Sequence, residues 1–355
     1  MSLLNRIALL NPLRVARAAA AVGRLEASSA AMRRDQKAIA RQLEEMTKLI
    51  QAVQGDLAAV RAKVDDCEVR VEQCAALYAA DAVNERRVAR LGERLDGDRV
   101  RRHAAAAIAN VRLEMDPGAH IVIENLLPDE VADEIVRAVP SSLFFPRQNM
   151  KRQEIGVPFF FAPEYSRRVW GFFADVLEDT ILPAVVERFR PALDEFMRKN
   201  WPARGSFAGS GVTLGVSNSR IMLRRPGYRI RPHRDPRWAF LTALFYLQKR
   251  DDPHAYGTQF YRLRQEREPA HHSAFWIDDE EVELVKDVPA RWNSAVIFLN
   301  STGAHGACIP PDAPAGIERF IFQVQFGPDD ATKQALVAEL EGAGREAWAT
   351  PRGGY

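Results

Sequence analysis

From Ile39 the apolar residues recur at alternating steps of four and three: Ile39, Leu43, Met46, Ile50, Val53, Leu57, Val60, Val64, Cys67, Val71, Cys74 and Tyr78. This is a heptad seam, with Leu43, Ile50, Leu57, Val64, Val71 and Tyr78 at position a and Ile39, Met46, Val53, Val60, Cys67 and Cys74 at d. Asp, Glu, Lys, Arg and Gln fill most other positions, so the pattern predicts a helix with one narrow apolar stripe that needs partner helices in water. Leucine mixed with β-branched residues at a, and β-branched residues at d, leans toward three or four strands rather than two. An antiparallel hairpin, or a long helix lying along a globular domain, would cover the same stripe. Asp81 and Glu85 break the register before Val88, Leu91 and Leu95 resume it at a shifted phase, and Gly92, Asp96 and Gly97 weaken the helix there. Arg101-Arg102-His103-Ala104 reads as an exposed basic turn.

Near Asp116-Pro117-Gly118 the pattern changes from helical and charged to a β-rich run, Ala119 to Asn125. A helix start follows at Leu127-Pro128-Asp129-Glu130, with Val131, Ile135 and Val139 on one face. A second amphipathic helix, or a broken pair, covers Ser166 to Phe196 and is interrupted at Pro183 and Pro191. After Pro202 come short strands joined by Gly, Pro and Asp turns: Asn218 to Arg224, Ala239 to Gln248, Gly257 to Leu263, Ser294 to Asn300 and Arg319 to Phe326. One more helix, Ala331 to Trp348, and a Gly-Gly-Tyr tail close the chain. The expected fold is an N-terminal α-helical coiled coil followed by an α+β domain built on a double-stranded β-helix, the cupin-like jelly roll, whose mouth encloses a pocket. The segments are 1–24, a basic amphipathic lead-in; 25–112, the helical oligomerisation segment; 118–328, the jelly-roll domain; and 329–355, the C-terminal helix and tail.

Composition adds limits rather than direction. A net charge of +2 over 355 residues gives no field favouring nucleic acid, and basic loops such as Arg262 to Arg267 are mixed in sign. Cys67, Cys74 and Cys308 show neither C-x-x-C spacing nor a disulfide framework, which fits a reducing cytosol. The cysteines at 67 and 74 lie about 10 Å apart along one helix, too far to pair with each other; in a parallel oligomer each would face its own copy. Arg6, Arg14, Arg17 and Arg24 interleave with apolar residues in the lead-in, a pattern that allows weak contact with a membrane surface, and its apolar run is too short to span.

Candidate chemistry gathers on His233 and Asp235 in Arg231-Pro232-His233-Arg234-Asp235-Pro236, together with His305 and Arg319. Positions i and i+2 of an extended segment project to one side, and the flanking prolines mark a strand end. Two imidazoles and a carboxylate are the set that holds iron(II) on one face and leaves the other open, and a nearby guanidinium suits a carboxylate ligand. In the last strand Arg319, Ile321, Gln323 and Gln325 share one face and Phe320, Phe322, Val324 and Phe326 the other, so the polar set can look into a pocket. Arg220, on the strand preceding His233, is a second candidate for binding a carboxylate, and Tyr246 and Asn218 are candidates to reach the bound acid or the groups that support it. His254, His271 and His272 sit in charged loops and read as surface residues or supports to the site rather than metal ligands.

Arg225-Pro226-Gly227-Tyr228, Pro232 to Asp235 and Leu241-Thr242-Ala243-Leu244-Phe245-Tyr246-Leu247 resemble the 2-oxoglutarate and iron(II) dependent oxygenases, especially their prolyl hydroxylase-like branch. Gly257-Thr258-Gln259-Phe260 falls where that family carries a glycine turn, and Asn293 to Phe298 leads into its second histidine at His305-Gly306. The resemblance covers roughly residues 118 to 328. It implies His233, Asp235 and His305 as ligands of Fe(II) and as the catalytic set, Arg319 as partner of the 2-oxoglutarate C5 carboxylate, O2 as oxidant and ascorbate as a reductant. It implies hydroxylation of an unactivated C–H bond with release of succinate and CO2, because halogenating relatives lack the carboxylate that Asp235 supplies. Two departures stand out: Thr258 where a second glycine is common, and an arginine, after a longer loop, where the branch often has lysine. Substrates of that family are selected by loops, here Phe144 to Pro163, Trp201 to Gly215 and Asp251 to Gly257, and a small molecule or a peptidyl side chain fits equally. The competing reading is a non-catalytic coiled-coil scaffold displaying a ligand-binding jelly roll.

Overall fold

A computed structural model describes residues 12–146, 151–268 and 274–349. Two compact units divide between Cys74 and Ala75. The first is helical throughout its described part and belongs to α1, Pro12–Ala89. Its seam lies open, as the heptad pattern requires of a single copy: Leu57 is 63% and Val71 68% exposed. The first 11 residues of the basic lead-in lie outside the described residues, and no described helix is long and apolar enough to cross a membrane.

In the second unit α2, Gly97–Asn110, starts where the Asp96 carboxylate accepts the Arg99 N–H at 3.1 Å and buries Val100, Ala104 and Ile108. The expected basic turn around His103 is therefore helical, and the His103 Nε2 lies 2.9 Å from the Asn125 carbonyl. Helix α3 spans Asp129–Arg137, α4 Glu164–Val176 and α5 Leu182–Asn200. A wide π turn, Leu177–Ile181, joins the last two. Pro183 lacks an N–H and its ring crowds the preceding turn, which the wider turn accommodates, so the helical course continues where an interruption is expected. Pro191 lies inside α5 without ending it.

Eleven strands form two antiparallel sheets among the described residues. One runs β1 (His120–Glu124), β9 (Ser294–Leu299), β5 (Leu241–Tyr246), β11 (Arg319–Gly327), β3 (Gly215–Arg224) and β2 (Arg152–Gly156). The other runs β7 (Phe275–Trp276), β4 (Arg229–Arg234), β10 (Ala304–Cys308), β6 (Thr258–Leu263) and β8 (Val282–Val288). From β3 to β11 the chain passes repeatedly between the sheets, which makes the domain a double-stranded β-helix. Strands β5 and β9 are buried at every position, hence their nearly unbroken apolar runs.

One face of the larger sheet packs on the helices: Trp170 meets Phe322 edge-on at 4.9 Å and Phe173 meets Phe245 at 5.5 Å. The other looks across to the smaller sheet, where Met222, Leu244, Tyr246, Val296, Phe298 and Ile321 meet Phe260 and Val288. The alternation in β11 is as expected, with Ile321 inward and Phe322, Val324 and Phe326 toward the helices. Past β11 the single expected helix is two, α6 Asp330–Ala338 and α7 Gly342–Trp348, divided at Gly342, whose φ of 53° only glycine takes readily. Trp348 closes an aromatic cluster with Trp201, Trp238 and Phe240. The Gly-Gly-Tyr tail and His271 and His272 lie outside the described residues.

Candidate metal centre

The end of β4 carries His233, Asp235 follows immediately, and β10 sets His305 directly across the ladder from His233. The ladder is tight here: a Cβ on Gly306 would lie 2.9 Å from the Ile230 carbonyl oxygen, so the residue after His305 must be small. One donor atom from each of His233, Asp235 and His305 lies within 4.8 Å of the others. Asp235 Oδ1 is 3.7 Å from His233 Nε2 and 3.9 Å from His305 Nε2. All three side chains are buried, and among the described residues no other His, Cys, Asp or Glu group converges in this way.

Each of the three side chains is aimed by a neighbour. His233 Nδ1 donates to the Arg231 carbonyl at 2.8 Å, which leaves the Nε2 lone pair free toward the centre. Its ring stacks on Trp276 at 4.9 Å, and the His305 ring packs on Phe298 at 4.4 Å. Thr242 donates its hydroxyl proton to Asp235 Oδ2 at 2.6 Å. Asn300 accepts the Asp235 N–H at 3.3 Å and donates to the Ala239 carbonyl at 2.6 Å, tying the loop after β4 to the end of β9.

Electrostatics act on two of the three side chains. Burial pushes the His305 imidazolium down to about 3, with the adjacent His233 acting in the same direction, so the ring is neutral at physiological pH. Burial alone would raise the Asp235 carboxyl, but His305, His233 and the Thr242 hydroxyl together hold it below the usual carboxylate range. A neutral His305 imidazole and an ionised Asp235 carboxylate, set beside the His233 ring, are donors that fit a divalent transition metal.

The other expected pocket residues line the inner face of the larger sheet. Arg319 is almost fully buried; it bonds Asp252 through both terminal nitrogens, one at 3.0 Å, and the His254 carbonyl at 2.5 Å. Arg220 donates to Gln323 at 3.0 Å and to Glu154 at 3.2 Å, Asn218 to Gln325 at 3.4 Å, and Tyr246 to the Thr258 hydroxyl at 2.8 Å. Burial raises the Tyr246 phenol, which stays protonated.

Sequence reasoning missed Arg224. It stands opposite Arg319 in the β3–β11 ladder, buried, with its guanidinium 4.8 Å over the Tyr228 ring and, among the described residues, no carboxylate bonded to it. Its Nε, the Arg319 Nε and the Tyr228 hydroxyl have no hydrogen-bond partner among the described residues. Orphaned buried donors beside two guanidinium groups describe a place for an anion. A polar residue on the inward face of β3, in phase with Met222, was the available signal.

A cavity of about 320 Å³ reaches Asp235, bordered by Glu195 and Lys199 of α5, Arg237, Glu268 and Asn300. The loops expected to select the substrate, 144–163, 201–215 and 251–257, do not border it among the described residues; α5 and the turn after β9 do.

No known family profile matches the chain, and no curated protein matches it. Solved structures do. A Pseudomonas putida prolyl-4-hydroxylase is 16% identical over 64% of this chain and 99% of its own, with a TM-score of 0.36. HygX of Streptomyces hygroscopicus, with nickel, 2-oxoglutarate and hygromycin B bound, is 14% identical over 59% of this chain and 83% of its own, with a TM-score of 0.34. A Burkholderia pseudomallei oxidoreductase of the 2OG-Fe(II) oxygenase family is 12% identical over 68% and 94%, with a TM-score of 0.36. Likeness this remote says nothing of substrate, and the chemistry of the site rests on this chain's own residues.

Proposed function

We propose that this chain is a non-haem iron(II) and 2-oxoglutarate dependent dioxygenase that hydroxylates an unactivated C–H bond and releases succinate and CO2. The observation that carries the proposal is the buried His233, Asp235 and His305 set, with each donor aimed by its own hydrogen bond or ring contact. Iron(II) held there supplies the redox chemistry on the keto acid and dioxygen. The protein's part is to hold, orient and shield. Arg231 and Thr242 fix the directions of His233 and Asp235, Trp276 and Phe298 cover the rings, and Asn300 keeps the Asp235 backbone in place.

The distal carboxylate of the keto acid is assigned to Arg319, with Tyr246, Arg220 and Asn218 on the surrounding wall. Arg319 presently answers to Asp252, and Arg224 stands across from it without a counter-charge, so an arriving dicarboxylate meets two guanidinium groups. The substrate, a small molecule or a peptidyl side chain, is assigned to the cavity beside Asp235, where Glu195, Lys199 and Glu268 offer both signs of charge. Three free cysteines suit a reducing compartment such as the cytoplasm. A non-catalytic jelly roll has no need of a buried two-histidine, one-carboxylate set. Oxygen consumption and succinate formation by the iron-loaded protein test the proposal: both are expected with 2-oxoglutarate, slowly without substrate and faster with it. Their absence, together with failure to bind 2-oxoglutarate, would overturn it.

A further inference from the structure

We infer that the open seam of α1 is the contact surface for a second copy of this chain, lying parallel and in register. The face is continuous and apolar, and every a and d residue from Leu43 to Cys74 is exposed in the single copy. Charge decides how the second copy lies. With Leu43 at a, Asp56 and Lys63 occupy g, and Arg61 and Glu68 occupy e. In a parallel in-register coil each g residue faces the e residue of the partner's next heptad. Asp56 then meets Arg61 of the partner subunit, and Lys63 meets Glu68 of the partner subunit; both contacts are attractive. Within their own chain none of these four side chains forms an ion pair among the described residues, whereas their neighbours do: Arg70 pairs with Asp66 at 2.9 Å and Lys48 with Glu44 at 2.8 Å.

The cysteines mark the same arrangement. Cys67 and Cys74 both occupy d and are both free and exposed. In register, Cys67 lies against the partner's Cys67 and Cys74 against the partner's Cys74. An antiparallel pair cannot bring both cysteines against their own copies at once.

The test uses the full-length protein. Under reducing conditions light scattering after size exclusion should give a mass of at least two chains. Mild oxidation with copper(II)-phenanthroline, which takes up the two electrons released as two thiols form a disulfide, should link chains covalently. The linkage should survive in Cys67→Ser and in Cys74→Ser, vanish in the double variant, and yield peptides joining Cys67 to Cys67 and Cys74 to Cys74. Lys63→Glu should weaken association about tenfold, and Lys63→Glu with Glu68→Lys should restore it, a rescue that a merely misfolded helix would not give. A monomeric mass at micromolar concentration, or peptides joining Cys67 to Cys74, would overturn the inference.

Discussion

Thr242 donates its hydroxyl proton to one oxygen of Asp235, Oδ2, and leaves the other, Oδ1, facing both imidazoles. A single side chain on a strand of the facing sheet thus selects which lone pairs a metal would meet. Thr242→Val keeps the shape and removes the donor, so the carboxylate is free to rotate. Iron(II) affinity is expected to fall about 10- to 100-fold with little change in melting temperature. Calorimetric titration of the variant with iron(II) measures it, and an unchanged affinity would show that the contact does not aim the carboxylate.

Arg319 and Arg224 face each other across β11 and β3, but only Arg319 has a carboxylate partner. Replacing Arg319 by Met should raise the apparent KM for 2-oxoglutarate at least tenfold, since a charge-assisted bidentate contact contributes upwards of about 1.5 kcal/mol. Arg224→Met should raise it by less. If instead Arg224→Met has the larger effect, the distal carboxylate belongs to the unpaired arginine. Iron(II) affinity, measured alongside, should be unchanged in both.

His120 is fully buried, stacked on Phe260 at 4.6 Å with its Nε2 3.2 Å from the Lys286 ammonium, and Glu114 and Asp116 act on it from outside the strand. Burial, reinforced by Lys286, holds its imidazolium below the ordinary 6.5. The unfolded chain therefore takes up a proton near 6.5 that the folded chain refuses. Stability from this group is fully present above that value and is lost as pH falls through it toward the folded pKa. His305 acts with the same sign in the metal-free protein. Melting temperatures of the metal-free protein should drop on acidification below pH 6.5, and His120→Gln should flatten that slope. Parallel slopes in the two proteins would contradict the assignment.

Gly257 opens β6 so close to β8 that a Cβ would lie 1.9 Å from the Val288 carbonyl oxygen, an approach backbone must move to relieve. Gly257→Ala should destabilise the fold by about 1–3 kcal/mol or more, read as a shifted denaturation midpoint with an unchanged slope. No shift would mean that the β6–β8 edge yields freely.

That His233, Asp235 and His305 could converge was legible in the sequence because strand ends are local: His233 and Asp235 share a side by alternation alone, and the run Ser294 to Leu299 announces the strand before His305. Strands β5 and β9 were legible for a related reason, since strands buried on both faces write themselves as apolar runs, whereas β2, half-exposed and polar, carried no such mark. What spacing could not reveal is which side chains meet across strands. Thr242 lies seven residues from Asp235 and Asn300 sixty-five, and only the closure of the two sheets brings both to the same carboxylate. The Arg319–Asp252 pair depends on how the loop after β5 folds back, which no spacing in the sequence announces. The division at Gly342 was visible as a residue but not as a break, because glycine is tolerated inside helices at modest cost.

Anaerobic titration of the full-length protein with iron(II) and then 2-oxoglutarate tests the central claim most directly. A visible metal-to-keto-acid charge-transfer band should appear at saturation in the native protein, and be absent in His233→Ala and in His305→Ala although both variants remain folded by circular dichroism. A native protein that gives no band, or variants that keep it, would contradict the placing of the metal on His233, Asp235 and His305.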